Sequence, residues 1–207
     1  KGDYVSVRVI VLDNGIGVFE KIRGAFQLNS INDAILELDK GKCTTDSEHH
    51  SGEGIFFSSK MFDLFFIQAN NLTYVAKNEY DHSFLLEDIK GNHDVGTYVS
   101  MELAKDNKET TQDVFSRFND EESFDFNKTI VSVVHLIDRR NTTDMTLMSR
   151  SQARRLLSRF DKFKAVCLDF NEIEAIGQGF ADEIFRIYVN AHPDIEINYM
   201  NANRSVE

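Results

Sequence analysis

The residues best suited to chemistry lie in two short glycine-bearing stretches. Leu12-Asp13-Asn14-Gly15-Ile16-Gly17 closes one apolar run, and Ser51-Gly52-Glu53-Gly54-Ile55 opens a second. A carboxylate at a strand end suits the amine of an adenine. The Gly-x-Gly that follows lets a flat base approach the backbone, so Asp13, Gly15 and Gly17 form one candidate subsite. Bare amides at a helix start, at the positive end of its dipole, suit phosphate, so Gly52 and Gly54 form another. Asp-Asn-Gly-Ile-Gly alone also reads as a hairpin turn, because Asn-Gly is a strong turn signal.

These residues need particular elements to hold them. Tyr4 to Leu12 is β-branched and apolar, which predicts a buried strand. Val18 to Arg23 reads as a short helix. Ser30, with Asp33 three residues on, predicts a capped helix with Ile31, Ala34, Ile35 and Leu38 on one face and Gly41 ending it. Lys42 to Ser51 is a polar loop, and Gly54 to Phe66 reads as an apolar helix. Short extended runs follow at Phe66–Ala69, Leu72–Lys77, His82–Leu86 and Thr97–Leu103, with turns at Asn70-Asn71 and Gly91-Asn92. Helices on one face of a mixed sheet are expected, an α+β sandwich.

The rest of the chain alternates differently. A polar stretch from Ala104 to Glu122 carries a helix around Thr110 to Phe118, and the expected boundary lies near its start, between 1–103 and 104–207. Thr129–Ile137, Ala165–Phe170 and Ile195–Met200 read as strands. Ser149 and Gln152 have capping-box spacing before a stripe of Ala153, Leu156, Leu157 and Phe160. Gly177 to Ala191 reads as a helix that stops before Pro193, the only proline. The alternation indicates a small layered α/β domain.

Charge narrows the partners. The formal net charge is -11. Residues 1–103 hold 9 Lys+Arg against 16 Asp+Glu, and residues 104–207 hold 14 against 18. Neither half has the basic excess of a nonspecific nucleic-acid or anionic-membrane binder, so neither partner is expected. Cys43 and Cys167 are the only cysteines, which fits a reducing, cytoplasmic setting and argues against a disulfide scaffold or a four-ligand zinc site. Lys1 is no initiator Met and an apolar strand pattern starts by Tyr4, so a trimmed chain is expected.

With these residues in view, the first half resembles the later two-thirds of a GHKL-type (Bergerat) ATP-binding domain. That fold is shared by gyrase, heat-shock chaperones, sensor histidine kinases and mismatch-repair ATPases. VLDNGIGV resembles the family's first glycine box, GEGIFFSSKMFD its second and GTYVSMEL its closing strand. The resemblance implies that Asp13 hydrogen-bonds the adenine amine and that Gly15 and Gly17 admit the base. It also implies that Thr97 supports adenine through water, that Gly52 and Gly54 give amides to phosphate, and that Phe19–Ser51 is a mobile lid. Phe56 stands where the second box usually has a third glycine. The family's magnesium ligand and general base lie on a helix before the first box, and this sequence has no residues there. ATP is thus the implied cofactor, with the magnesium ligand upstream. No catalytic residue, no metal ligand and no hydrolysis are expected in this chain, and nucleotide binding is expected to be weak.

The second half, from about Phe124 to Val206, resembles a STAS-like family of poorly defined function. SRSQARRLLSRFDKFKAVCLDF, IGQGFADEIFRIY and HPDIEINYMNAN carry the likeness. Where STAS partners of anti-sigma serine kinases present a phosphorylatable serine, this chain reads Ala175-Ile176-Gly177-Gln178-Gly179-Phe180, so the phospho-switch does not carry over. Gly177–Gly179 reads as a tight strand-to-helix turn, or as an anion seat. Arg150, Arg154, Arg155, Arg159, Lys162 and Lys164 read as a solvated helix face, or as a docking face for an acidic partner or nucleic acid.

Three functions remain open on the sequence. One is an ATP-binding regulatory protein with a protein partner on the STAS-like domain. Another is a pure interaction module with a vestigial nucleotide site. The third is an anti-sigma-type serine kinase when the missing helix is present.

Overall fold

Two locally encoded signals set the frame of the first unit: a capping box and a turn. In the computed structural model, residues 5–46, 48–77, 82–87, 96–120, 123–138 and 142–207 are described, the side chains of 82–87 excepted. The expected turn at Gly91-Asn92 lies outside them. The chain divides into two compact units, Lys1–Phe115 and Ser116–Glu207.

In the first unit, β1 (Ser6–Leu12) leads to α1 (Val18–Ala25), α2 (Ile31–Lys40) and α3 (Gly54–Met61). Then come β2 (Leu64–Ala69), β3 (Leu72–Lys77), β4 (His82–Glu87) and β5 (Tyr98–Ala104), followed by α4 (Thr111–Phe118), inside which the division falls. The Ser30 hydroxyl accepts the Asp33 amide at 3.2 Å, and the Asp33 carboxylate accepts the Ser30 amide at 3.1 Å. Both halves of the capping box are therefore present. Gly41 ends α2 at φ 84°, where a side chain would be strained. Asn70 and Asn71 have φ of 54° and 59°, the left-handed pair that joins β2 to β3 in a tight hairpin.

The sheet order is β1-β5-β2-β3-β4. Every described pairing in it is antiparallel, whereas the expectation was a mixed sheet. The α+β class stands. Phe19 and Ile22 of α1 and Ala34, Ile35 and Leu38 of α2 pack on Phe65, Ile67, Ala69, Leu72, Tyr74 and Ala76 of the sheet. Nearly all of α2 is buried, including its polar side chains: Lys40 reaches Glu37 at 2.5 Å, and the Tyr74 hydroxyl donates to Asp39 at 2.9 Å.

Two expectations change here. The helix read from Gly54 to Phe66 ends at Met61, and β2 takes Leu64 onward. Phe65, Ile67 and Ala69 then alternate into the core, a period-two use of an apolar run whose composition suits either element. Asp63 marks the break, because its carboxylate accepts the Ala104 amide at 2.6 Å and the Asn107 side-chain amide at 2.8 Å. The strand read as buried, β1, is exposed. It is the outermost strand, and Val7, Val9, Ile10, Val11 and Leu12 are 43–58% exposed. Strand composition predicts pairing, but cover from a second layer decides burial.

The second unit is built on parallel pairing. Its elements are β6 (Lys128–Ser132), β7 (Thr146–Leu147), α5 (Arg150–Leu157), β8 (Ala165–Asp169), β9 (Ala175–Ile176), α6 (Gln178–Asp182), α7 (Val189–Ala191) and β10 (Glu196–Met200). β8 lies between β10 and β6, parallel to both, and β7 pairs with β9. A π-helical turn, Glu183–Tyr188, joins α6 to α7. Ser149 and Gln152 form the expected capping box. Val131, Ala153, Leu156, Phe160, Val166, Leu168, Phe180 and Ile184 are the buried centre. The strand expected over Thr129–Ile137 stops at Ser132, and Val133–Leu136 turns as a 3₁₀ helix.

Candidate functional site

The first glycine stretch leaves β1 as a hydrogen-bonded loop. The Asp13 amide donates to the Thr97 carbonyl at 3.0 Å. Asp13 Oδ1 accepts the Gly15 amide at 2.7 Å and the Thr97 amide at 3.2 Å. Asp13 is exposed, and among the described residues no hydrogen bond reaches its Oδ2. Gly96, at φ 87°, crosses so close that a Cβ there would lie 2.0 Å from the Asp13 carbonyl oxygen. Gly15 is held against the carboxylate in turn, since a Cβ on it would meet Asp13 Oδ1 at 3.1 Å.

The start of α1 is held by remote side chains. Gly17, at its N-cap, has no side chain to offer. The Thr97 hydroxyl accepts the Val18 amide at 3.1 Å instead, and Asn70 Oδ1 accepts the Glu20 amide at 3.2 Å. The Asn70 side-chain amide donates to the Ile16 carbonyl at 2.9 Å. The Thr97 hydroxyl thus has a defined structural partner and keeps its own proton to donate. Asn70 read only as a turn residue in the sequence, yet it ties the hairpin tip to the glycine loop.

Two hollows open beside this loop. One, of about 530 Å³, is lined by Asp13, Gly15, Gly17, Thr97 and Val99, together with Ile16, Val18, Lys21 and Ile55. The other, of about 420 Å³, is lined by Thr44, Thr45, His50, Ser51, Gly52 and Gly54, among others. Val18, Lys21 and Ile55 line both, so the hollows share a wall. The six candidate residues therefore all face this space: Asp13, Gly15, Gly17 and Thr97 on one side, Gly52 and Gly54 on the other. Lys21 also lines it, and only its ordinary position on a short helix was visible in the sequence.

The two glycines of the second stretch differ in kind. Gly52, at φ 75°, is pressed against the Cys43 backbone, which a Cβ would meet at 2.6 Å. A Cβ on Gly54 would meet nothing within 4 Å, so the first turn of α3 faces open space. Glu53, at the N-cap of α3, makes no side-chain cap bond, which leaves first-turn amides for a ligand or water. Phe56, in the place of a third glycine, is a buried core side chain.

The expected lid is not a loop. Phe19–Ser51 contains most of α1 and all of α2, whose apolar faces build the core. Lifting that whole span would expose Phe19, Ile22, Ile35 and Leu38. Outside the helices lie the short link 26–30 and the stretch 41–51, and in the latter His49 Nδ1 sits 3.0 Å from Asp46. Among the described residues, no three His, Cys, Asp or Glu side chains cluster as a metal site needs.

Charge along the joined hollows is uneven. Among the described residues, the only carboxylate lining them is Asp13, at one end. The other end carries hydroxyls, His50 and the start of α3, with Lys21 on the shared wall. A ligand with a donor at one end and an anion at the other matches that arrangement.

In the second unit, the Gly177–Gly179 loop is filled. The Gly177 amide donates to the Leu147 carbonyl at 2.8 Å, and a Cβ on Gly177 would lie 2.9 Å from the Met148 backbone. The geometry is that of a tight strand-to-helix turn. The basic run is also paired: Arg150 reaches Asp182 at 2.9 Å, Arg154 reaches Glu183 at 2.7 Å and Lys164 reaches Asp120 at 3.4 Å. Arg155, Arg159 and Lys162 have partners too.

Residues 152–207 match the family model of a STAS-like domain of unknown function (DUF4325). The matched span runs from within α5 to the chain end and includes β8, α6 and β10. No curated protein and no solved structure matches this chain. Among the described residues, no helix is long and apolar enough to cross a membrane.

Proposed function

We propose that the first unit binds an adenine nucleotide across the joined hollows, and that the chain is a cytoplasmic regulatory protein whose STAS-like domain holds a protein partner. The carrying observation is the opposed polarity of the hollows: the Asp13 carboxylate lines one end, and at the other, where Glu53 makes no side-chain cap bond, no carboxylate lines the space among the described residues. Asp13 Oδ2 accepts the adenine amine while Oδ1 keeps the loop closed. The Gly54 end takes the phosphates. Nucleotide then acts by differential affinity for two states of the protein, which is the only way a ligand can shift an equilibrium. Among the described residues no His, Cys, Asp or Glu cluster suits a metal, and the role proposed for this chain is binding. The magnesium that accompanies ATP needs a ligand from outside these residues.

Thermal shift and calorimetry with ATP and magnesium test this reading. Ligand at a hundredfold over Kd stabilises by about 2.7 kcal/mol. Asp13→Asn is the matched variant. Its carbonyl oxygen still accepts the Gly15 and Thr97 amides, while its NH2 meets the adenine amine donor to donor. Affinity falls at least about tenfold, the scale of one charge-assisted hydrogen bond. Unchanged affinity in Asp13→Asn would remove the adenine assignment.

A second reading has its own support. Asp13 Oδ1 and the Thr97 hydroxyl already serve the loop and α1, so both residues have structural work without any nucleotide. On that reading the chain is an interaction module with a vestigial site, and saturating ATP leaves its melting temperature unchanged.

A further inference from the structure

We propose that Lys21 makes the joined hollow select a phosphorylated ligand over the bare nucleoside. The inference rests on the nucleotide reading above and adds a residue and a charge class to it. Lys21 lies on α1 three residues after Val18, so the two share a helix face, and both line each hollow. Phe19 and Ile22 of the same helix are anchored in the core, and Ile22 also lines the second hollow beside Lys21, which fixes how α1 presents its lysine.

The other charged residues of α1 are satisfied by each other. Arg23 and Glu20 pair at 2.5 Å. Lys21 is exposed, and among the described residues no side-chain ion pair or hydrogen bond engages it. In a protein of net charge -11, an unengaged ammonium facing a hollow whose far half, among the described residues, is lined by no carboxylate is the local exception to the overall field. An anion brought between Lys21 and the first turn of α3 meets a point charge on one side and the Gly54 and Ile55 amides on the other. A neutral nucleoside gains nothing from that wall.

Calorimetry with ADP and with adenosine on the full chain tests this. The wild-type protein binds ADP at least about tenfold more tightly than adenosine, one charge-assisted contact in affinity. Lys21→Met reduces that ratio to about threefold or less while adenosine affinity is unchanged, and Lys21→Arg restores much of it. Melting curves without ligand stay superimposed, because the side chain is exposed. If Lys21→Met weakens ADP and adenosine equally, or weakens neither, Lys21 does not select for phosphate and the proposal falls while nucleotide binding stands. If the wild-type protein binds both ligands equally, the proposal falls in the same way. If it binds neither, the nucleotide reading itself fails and this inference goes with it.

Discussion

The two units spend their charges in opposite ways. In the second, the cations of α5 are matched to acids on the following helix: Arg150 to Asp182 and Arg154 to Glu183. Its central strand is flanked on both sides and its turn glycine is packed against backbone. In the first unit, Asp13 and Lys21 face a hollow with an oxygen and an ammonium to spare, and the outermost strand shows apolar side chains to solvent. Groups that already hold each other have little left for a ligand. A basic run in sequence is therefore a poor guide to a docking face, while a single unengaged lysine lining a hollow is a better one.

The largest predicted contrast is in packing. Leu168 lies in β8 and is fully buried. Leu168→Ala removes buried methyls from a strand flanked by β6 and β10 and costs about 3 kcal/mol. Val9→Ala in β1, 43% exposed, costs about 0.5 kcal/mol on the same measurement. Urea denaturation of both variants checks the pair. Equal losses would show that β1 is covered in solution and that the two units are packed alike.

Gly96→Ala tests the loop that carries Asp13. A side chain there must abandon φ 87° or strike the Asp13 carbonyl, so a loss of about 2–3 kcal/mol is expected. The end of the β1–β5 pairing opens, and nucleotide affinity drops with it. Gly54→Ala is the control in the same hollow, because its Cβ meets open space. It leaves stability within about 0.5 kcal/mol and changes ligand binding only.

A smaller effect is expected at the remote cap. Thr97→Val keeps the shape but removes the acceptor of the Val18 amide. The cost is about 1 kcal/mol, the usual value of a lost cap. Thr97→Ser keeps the oxygen and most of the stability. Amide hydrogen exchange at Val18 distinguishes the two, with faster exchange in the valine variant.

These contrasts also show what the sequence could tell. The capping boxes at Ser30 and Ser149 and the Asn70-Asn71 hairpin are local, written within four residues, and they form as read. The run from Gly54 to Phe66 could not be divided by composition, because Phe and Ile serve a helix or a strand equally. Asp63 divides it through contacts with residues more than forty positions away. The exposure of β1 was illegible for the same reason, since Val-x-Val composition says nothing of what lies over it. Asp13 and the glycines of the candidate site were legible as a pattern. Lys21 and Asn70 were not, because only the fold brings the hairpin tip and one face of α1 to the glycine loop.

The smallest predicted effect compares the two units through pH. The Asp182 carboxyl is held below its ordinary value by the side-chain hydrogen bond from Arg186, aided by the charges of Arg186 and Arg150, against a desolvation cost. In the first unit, Glu102 is held low by hydrogen bonds from Ser6 and Arg8, with the Arg8 charge adding to them. A carboxyl lowered in the folded state contributes stability above its unfolded value, about 3.9 for Asp and 4.3 for Glu. That contribution is lost as pH falls through the lowered folded value. Both carboxylates remain partly open to solvent, with 20% and 24% of the side chain exposed, so each contribution is small and screened by salt. Asp182→Asn flattens the acid limb of the stability curve slightly, and Glu102→Gln does the same. The difference between units lies in what the ion pair joins. Asp182 links α5 to α6, whereas Glu102 links β5 only to the neighbouring strand β1. Hydrogen exchange near neutral pH, where the wild-type carboxylates are ionised, should therefore accelerate across both helices in Asp182→Asn and only along β1 in Glu102→Gln, and the differences should fade as pH falls. Equal spreading in the two variants would mean that β1 is as firmly built into its unit as α5 is into the other.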